Sequence, residues 1–164
     1  MPNEREAVVA HTGEVVERLL PKETEKLESP RKQFEDFSQR MRNESFENPQ
    51  REFSRTVEAF REWLGERLGD AKEVLGATKD ALERAQFGET EIGKQLIGGL
   101  EKGRAAIEDG RLVLREHSEA FDAIVKLIVL GVFLVAHPEA MQQLLAQQPE
   151  LLAGPLKTLF AEIS

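Results

Sequence analysis

Apolar residues recur at alternating spacings of four and three along residues 64–85. The positions are Leu64, Leu68, Ala71, Leu75, Thr78, Leu82 and Ala85. Such heptad spacing keeps one stripe of a helix facing a partner helix. A second row follows at Gly93, Leu96, Leu100, Gly103, Ile107, Gly110 and Leu114. A chain that folds back at Glu89 would oppose the two rows, so we predict a long antiparallel hairpin of helices at about 49–86 and 91–117.

Glycine is common in the second of these rows. Because glycine in a helix interior costs about 1 kcal/mol relative to alanine, Gly103 and Gly110 need a structural reason. In the predicted register they oppose Leu75 and Leu68, which favours close packing of the two backbones; the alternative is a soft, hinge-like helix. The predicted interface seam consists of Leu64, Leu68, Ala71, Leu75, Leu82, Gly103, Gly110 and Leu114.

Residues 123–136 form the most apolar stretch of the chain, with Lys126 as the one polar side chain. A helix that is apolar on all sides lies in a protein core or in a membrane. At 1.5 Å per residue this stretch spans about 21 Å, which is shorter than the ~30 Å hydrocarbon layer. We therefore predict a buried central helix, with a membrane element or a partner surface as alternatives. Its key residues are Leu127, Ile128, Val129, Leu130, Val132, Phe133 and Leu134.

Proline and small polar residues mark the predicted helix ends. Ser29 and Asn48 each precede a proline, which is the typical order of an N-cap and a first helical residue. Gly88 is predicted to end the first hairpin helix and Thr90 to cap the second. Ser118 either caps a new helix or lies within a helix that continues to residue 136. No strand pattern is present.

The predicted fold class is all-α, an elongated helical bundle with one long hairpin and an apolar C-terminal helical segment. Residues 1–29 are interpreted as a weak helix followed by a charged linker. Residues 30–164 are interpreted as one helical domain. In this interpretation, residues 30–60 and 119–163 form a head, from which the hairpin at 64–117 projects.

Catalytic or ligand-binding chemistry is not evident in the residue pattern. The chain has no cysteine, which excludes disulfides and thiolate zinc sites. Its three histidines, His11, His117 and His137, lack metal-ligand spacing. There is no glycine-rich phosphate loop and no nucleophile-elbow pattern. We therefore expect a protein that is not an enzyme and binds neither cofactor nor metal.

Charge narrows the classes of partner. The formal net charge is −8, which disfavours nucleic acid, since binding to phosphate rests on clustered lysine and arginine. The first ten residues lack the basic start and apolar run of a signal peptide. The default expectation is a cytoplasmic protein, and export by a route without a signal peptide stays open.

The features together favour a non-enzymatic helical interaction or assembly protein. Charged residues make up 32% of the chain, so we expect long helices that present surfaces, self-association through them, and a homo-oligomer. The alternative is a membrane-active α-helical protein that inserts 123–136 and the helices following it, up to residue 163. Against this alternative, residues 119–164 carry more carboxylates than lysines, and anionic lipid would repel them.

Overall fold

The computed structural model describes residues 29–44 and 46–164. Over these residues the chain forms seven α-helices and two short 3-10 turns, with no strand, so the predicted all-α helical bundle is confirmed. The helices are α1 Pro30–Arg42, α2 Pro49–Gly65, α3 Ala71–Arg84, α4 Glu91–Glu108, α5 Ser118–Ala136, α6 Pro138–Gln147 and α7 Glu150–Ile163. The 3-10 turns are Leu68–Asp70 and Leu114–Glu116. The weak helix and linker predicted for 1–29 lie, apart from Ser29, outside the described residues.

Local capping explains where three of the helices begin. Ser29, Asn48 and Thr90 each accept a hydrogen bond, through a side-chain oxygen, from the backbone N–H three residues later. Pro30 and Pro49 then occupy the first helical positions, where no N–H is needed. These predicted starts are confirmed. They could be predicted because a cap involves residues only three positions apart in sequence.

Helix α5 runs through the centre of the bundle and contacts each of the other six helices of the described residues. Ile124, Val125 and Leu127 are fully buried, and so are Ile128 and Val129. Because other helices surround α5, it needs no polar face toward solvent. This accounts for the apolar composition of residues 123–136. Helix α5 begins at Ser118, so 91–136 is two helices rather than one.

The predicted hairpin helices are both shorter than expected. The first is divided at Gly65, and α3 starts only at Ala71. Glycines at 65 and 69 each weaken a continuous helix by about 1 kcal/mol. The second helix ends at Glu108 instead of 117, and Gly110 follows with a backbone φ of +82°. The heptad spacing of apolar residues continues across both breaks. It therefore predicted the row of seam residues but not the places where the two helices are interrupted.

The turn between α3 and α4 closes the hairpin by a Schellman motif. The N–H of Phe87 donates to the carbonyl of Leu82 at 2.9 Å, and the N–H of Gln86 donates to that of Glu83 at 3.0 Å. Gln86 takes the left-handed conformation, with φ +67°. The sequence predicted Gly88 for this place, because glycine adopts that conformation at the lowest cost.

The α3–α4 hairpin lies along α5 and α1 instead of projecting from a head. Leu75 and Leu82 of α3 and Leu96 and Leu100 of α4 are fully buried in the same hydrophobic core as α5. A heptad stripe is therefore compatible with more than one partner helix. The interpretation of 64–117 as a projecting hairpin is not supported by this packing.

Glycine brings α5 close to α3. A Cβ on Gly131 would lie 2.7 Å from the γ-methyl of Thr78 and 3.5 Å from a methyl of Leu82. On α4, a Cβ on Gly99 would lie 2.6 Å from a methyl of Leu156 in α7. The large-to-small matching predicted between α3 and α4 thus occurs between each of them and other helices.

Ion pairs join the helix faces around this core. Asp122 of α5 pairs with Arg61 of α2 and, at 2.9 Å, with Lys126 one turn later. Partial burial would raise the pKa of Asp122, but hydrogen bonds from Lys126 and Arg61 outweigh burial and lower it. Lys79 of α3 binds Glu101 of α4 at 2.8 Å, which raises the pKa of the lysine and lowers that of Glu101.

Candidate interaction surface

The structure places the predicted seam residues in two different environments. Leu64, Ala71, Leu75, Leu82 and Gly103 are buried inside the bundle. Leu68 is half-buried, Leu114 is 7% exposed and Gly110 is exposed. These last three residues come together in one open groove. Most of the predicted seam therefore stabilises the chain itself, and only its far end reaches the surface.

The predicted apolar segment is the core of the bundle. Its seven singled-out residues are at most 3% exposed: Leu127, Ile128, Val129, Leu130, Val132, Phe133 and Leu134. Among the helices of the described residues, none combines the length and the apolar character needed to cross a membrane. Contact of this segment with a membrane or a partner would require α5 to leave six neighbouring helices.

The groove lies where the α2–α3 and α4–α5 connections meet, and we call it the open-end groove. Its volume is about 560 Å³. Its lining residues belong to the two connections and the last turn of α4. They are Gly65, Glu66, Leu68, Gly69, Ile107, Gly110, Leu112, Val113, Leu114 and Arg115. Aliphatic side chains and glycines predominate, with one acidic and one basic residue among them.

The α2–α3 side of the groove is held by Arg67. Its backbone N–H donates to the carbonyl of Leu64 at 2.8 Å, and its Nη1 donates to the carbonyl of Trp63 at 2.9 Å. The guanidinium also lies 5.0 Å from the centre of the Trp63 ring, within the range of a cation–π contact. These contacts satisfy two of the carbonyls that the end of α2 would otherwise leave without a partner.

The α4–α5 side of the groove begins with Asp109 and Gly110. Gly110 adopts the left-handed conformation that ends α4, and the N–H of Leu112 donates to the carbonyl of Ala106 at 3.1 Å. The Asp109 carboxylate accepts hydrogen bonds from the backbone N–H and the Nε of Arg111. These bonds, the backbone one first, lower the pKa of Asp109. The loop is therefore ordered by its own contacts.

Val113 differs in exposure from the other large hydrophobic side chains that line the groove. It is 39% exposed and is the single exposed large hydrophobic side chain among the described residues. Its backbone is extended, with φ −106° and ψ 105°, and successive side chains of an extended chain point to opposite sides. Leu112 and Leu114 accordingly point inward and are 2% and 7% exposed. Two buried leucines thus fix the exposed valine between them.

Sequence reasoning missed Val113 and Leu112. The row Gly103, Ile107, Gly110 and Leu114 suggested a helix through this region, where Val113 would lie outside the seam. The signal that could have found the loop is Asp109-Gly110, because this dipeptide is typical of turns. Because the helix stops at that dipeptide, Leu112 and Val113 lie in a connection. Val113 therefore has no helix face on which it could be buried.

The described residues show no cluster of side chains that could bind a metal ion, and their two histidines contact backbone carbonyls. No group of three or more His, Asp or Glu side chains within 29–44 and 46–164 could hold a metal ion. His117 Nδ1 lies 2.8 Å from the carbonyl of Val113, and His137 Nε2 lies 2.9 Å from the carbonyl of Met41. The His117 contact is local to the α4–α5 connection, whereas the His137 contact joins the end of α5 to α1. His11 lies outside the described residues.

Comparison of the chain with protein-family models, with curated proteins and with solved structures finds no match.

Proposed function

We propose that this chain is a non-enzymatic helical interaction protein that self-associates through the open-end groove. The observation that carries the proposal is Val113, which is exposed beside a groove lined by Leu68, Ile107 and Leu114. Burial of a valine side chain stabilises by about 1.5 kcal/mol or more, so an exposed valine next to an apolar groove favours contact with a partner.

The proposal moves the interface from where the sequence predicted it. The heptad seam is occupied within the chain, so self-association uses the end of the bundle rather than the length of its helices. The groove is open and offers one exposed large hydrophobic side chain, and interfaces that bury little area are commonly weak and transient. We therefore expect a reversible association, with a dissociation constant on the order of micromolar or weaker.

Sedimentation equilibrium of the purified protein tests the proposal over a wide range of concentrations. We expect the average mass to rise from that of one chain toward that of two, and we expect Val113→Asp to shift this rise to higher concentration. A wild-type mass that stays at one chain at every concentration would overturn the proposal.

Liposome flotation, with neutral and anionic lipid at pH 7.4 and pH 5, tests the membrane alternative on the same preparation. We expect the protein to stay with the dense fraction in every condition. Flotation with lipid would contradict the proposal and would favour the membrane-active alternative.

A further inference from the structure

The open-end groove carries one acidic and one basic residue, on different connections. Glu66 follows the end of α2, and Arg115 lies in the 3-10 turn before α5. The Glu66 side chain is 70% exposed and makes one contact, at 3.7 Å, with Arg67. Among the described residues, Arg115 has no ion pair, although it lines the same groove as Glu66. One chain thus leaves an exposed carboxylate and an exposed guanidinium at the same groove.

A surface with one residue of each sign can match a second copy of itself. In a twofold interface the same patch is used on both chains, so a contact from residue i to residue j is repeated from j to i. Glu66 of each copy would then meet Arg115 of the other, which gives two ion pairs around one axis. A partner of different sequence would need its own matching charges, whereas a second copy has them already.

We propose that two copies of the chain form a twofold dimer. In this dimer, Val113 of each copy enters the open-end groove of the other, and Glu66 of each copy pairs with Arg115 of the other. The inference rests on the proposed self-association and gives it a geometry. Val113 is exposed between the buried Leu112 and Leu114, so its side chain needs no rearrangement before it docks. Preorganisation of this kind lowers the entropic cost of binding.

Charge reversal tests this pairing directly. Glu66→Arg places two arginines opposite each other in both contacts of its own dimer, and Arg115→Glu places two glutamates there. We expect each variant alone to dissociate at least about tenfold more readily than wild type, because like charges face each other at the interface. An equimolar mixture of the two variants restores opposite charges in both contacts. We therefore expect the mixture to associate nearly as well as wild type.

The controls carry the same changes of charge away from the groove. Glu58→Arg on α2 and Lys94→Glu on α4 alter net charge equally, at exposed positions. Neither is expected to change association by more than about twofold when salt near 0.15 M screens long-range repulsion. Circular dichroism and a thermal melt of every variant establish that each is folded. Masses are measured by sedimentation equilibrium for each variant and for the mixture.

The outcomes separate this geometry from the function on which it rests. Recovery of association in the mixture, but in neither variant alone, supports the twofold pairing of Glu66 with Arg115. A wild type that associates, with variants that associate as well as it does, overturns the geometry and leaves self-association in place. Folded variants that dissociate and do not recover on mixing also overturn the geometry. A wild type that stays monomeric overturns both proposals.

Discussion

Helix α5 and the open-end groove are both rich in aliphatic side chains, but the bundle buries those of α5 and leaves Val113 of the groove exposed. Six helices surround α5 and leave its apolar residues between 123 and 134 at most 3% exposed. At the groove, α2 and α4 have stopped, and the connections that replace them bring fewer neighbours. The difference shows that exposure of an apolar residue depends on whether adjacent helices continue past it, and not on the apolar content of its own segment.

The comparison also separates two uses of the same residue type. Ile128 and Val113 are both β-branched and aliphatic, and one is fully buried while the other is 39% exposed. Burial of the first contributes to the stability of one chain. Burial of the second would contribute only when a second molecule arrives. A matched substitution at the two sites therefore distinguishes folding from association.

Aspartate at the two sites gives the largest expected contrast. Ile128→Asp buries a carboxylate at a fully buried position among the helices and should lower the free energy of unfolding by more than about 4 kcal/mol. Val113→Asp should change it by no more than about 0.5 kcal/mol in dilute solution, because the site is open to water. Urea unfolding followed by far-UV circular dichroism measures both. Equal losses in the free energy of unfolding would contradict the difference in burial between Ile128 and Val113.

Glycine to alanine substitutions test how tightly α5 is packed. Gly131→Ala places a Cβ 2.7 Å from the γ-methyl of Thr78, and we expect a loss of about 1–3 kcal/mol from overpacking. Gly98 on α4 has no atom within 4 Å of the corresponding position. Gly98→Ala should therefore stabilise by up to about 1 kcal/mol, as expected for a helix interior. Chemical unfolding of the two variants should give opposite signs, and a gain at Gly131 would contradict the close approach of α5 to α3.

The smallest expected effects concern the two ends of the α3–α4 hairpin. Gln86 and Gly110 both adopt left-handed conformations, but only the second is a glycine. Gln86→Gly should stabilise the protein by up to about 1 kcal/mol, because it removes the cost of a side chain in that conformation. Gly110→Ala should destabilise it by about 1 kcal/mol for the same reason. Thermal melts with both variants measure these shifts, and a gain at Gly110 would mean that the loop can take another conformation.

Capping and composition were the parts of the fold that sequence could predict. Ser29, Asn48 and Thr90 were assigned correctly because an N-cap involves residues only three positions apart. The helical character of 123–136 followed from its nearly unbroken apolar run. Information of this kind is local, and one sequence is sufficient to interpret it.

The partners of each helix could not be predicted in the same way. Leu75 and Leu82 lie on a regular heptad stripe. Such a stripe predicts that another helix packs against it, but it does not identify that helix. The structure gives α3 both α4 and α5 as partners. The groove was missed because Gly110 and Leu114 kept helical spacing after the helix had ended, so periodicity concealed the turn at Asp109.

The central place of α5 has a consequence for how the chain is made. Helices α1 to α4 precede α5 in the sequence, and each of them packs against it. During synthesis they leave the ribosome before their common partner exists, with their apolar faces still uncovered. At roughly 5–20 residues per second, the interval until α5 and α7 have emerged lasts on the order of seconds. Over that interval the net negative charge of the chain opposes association of these uncovered apolar faces with other chains.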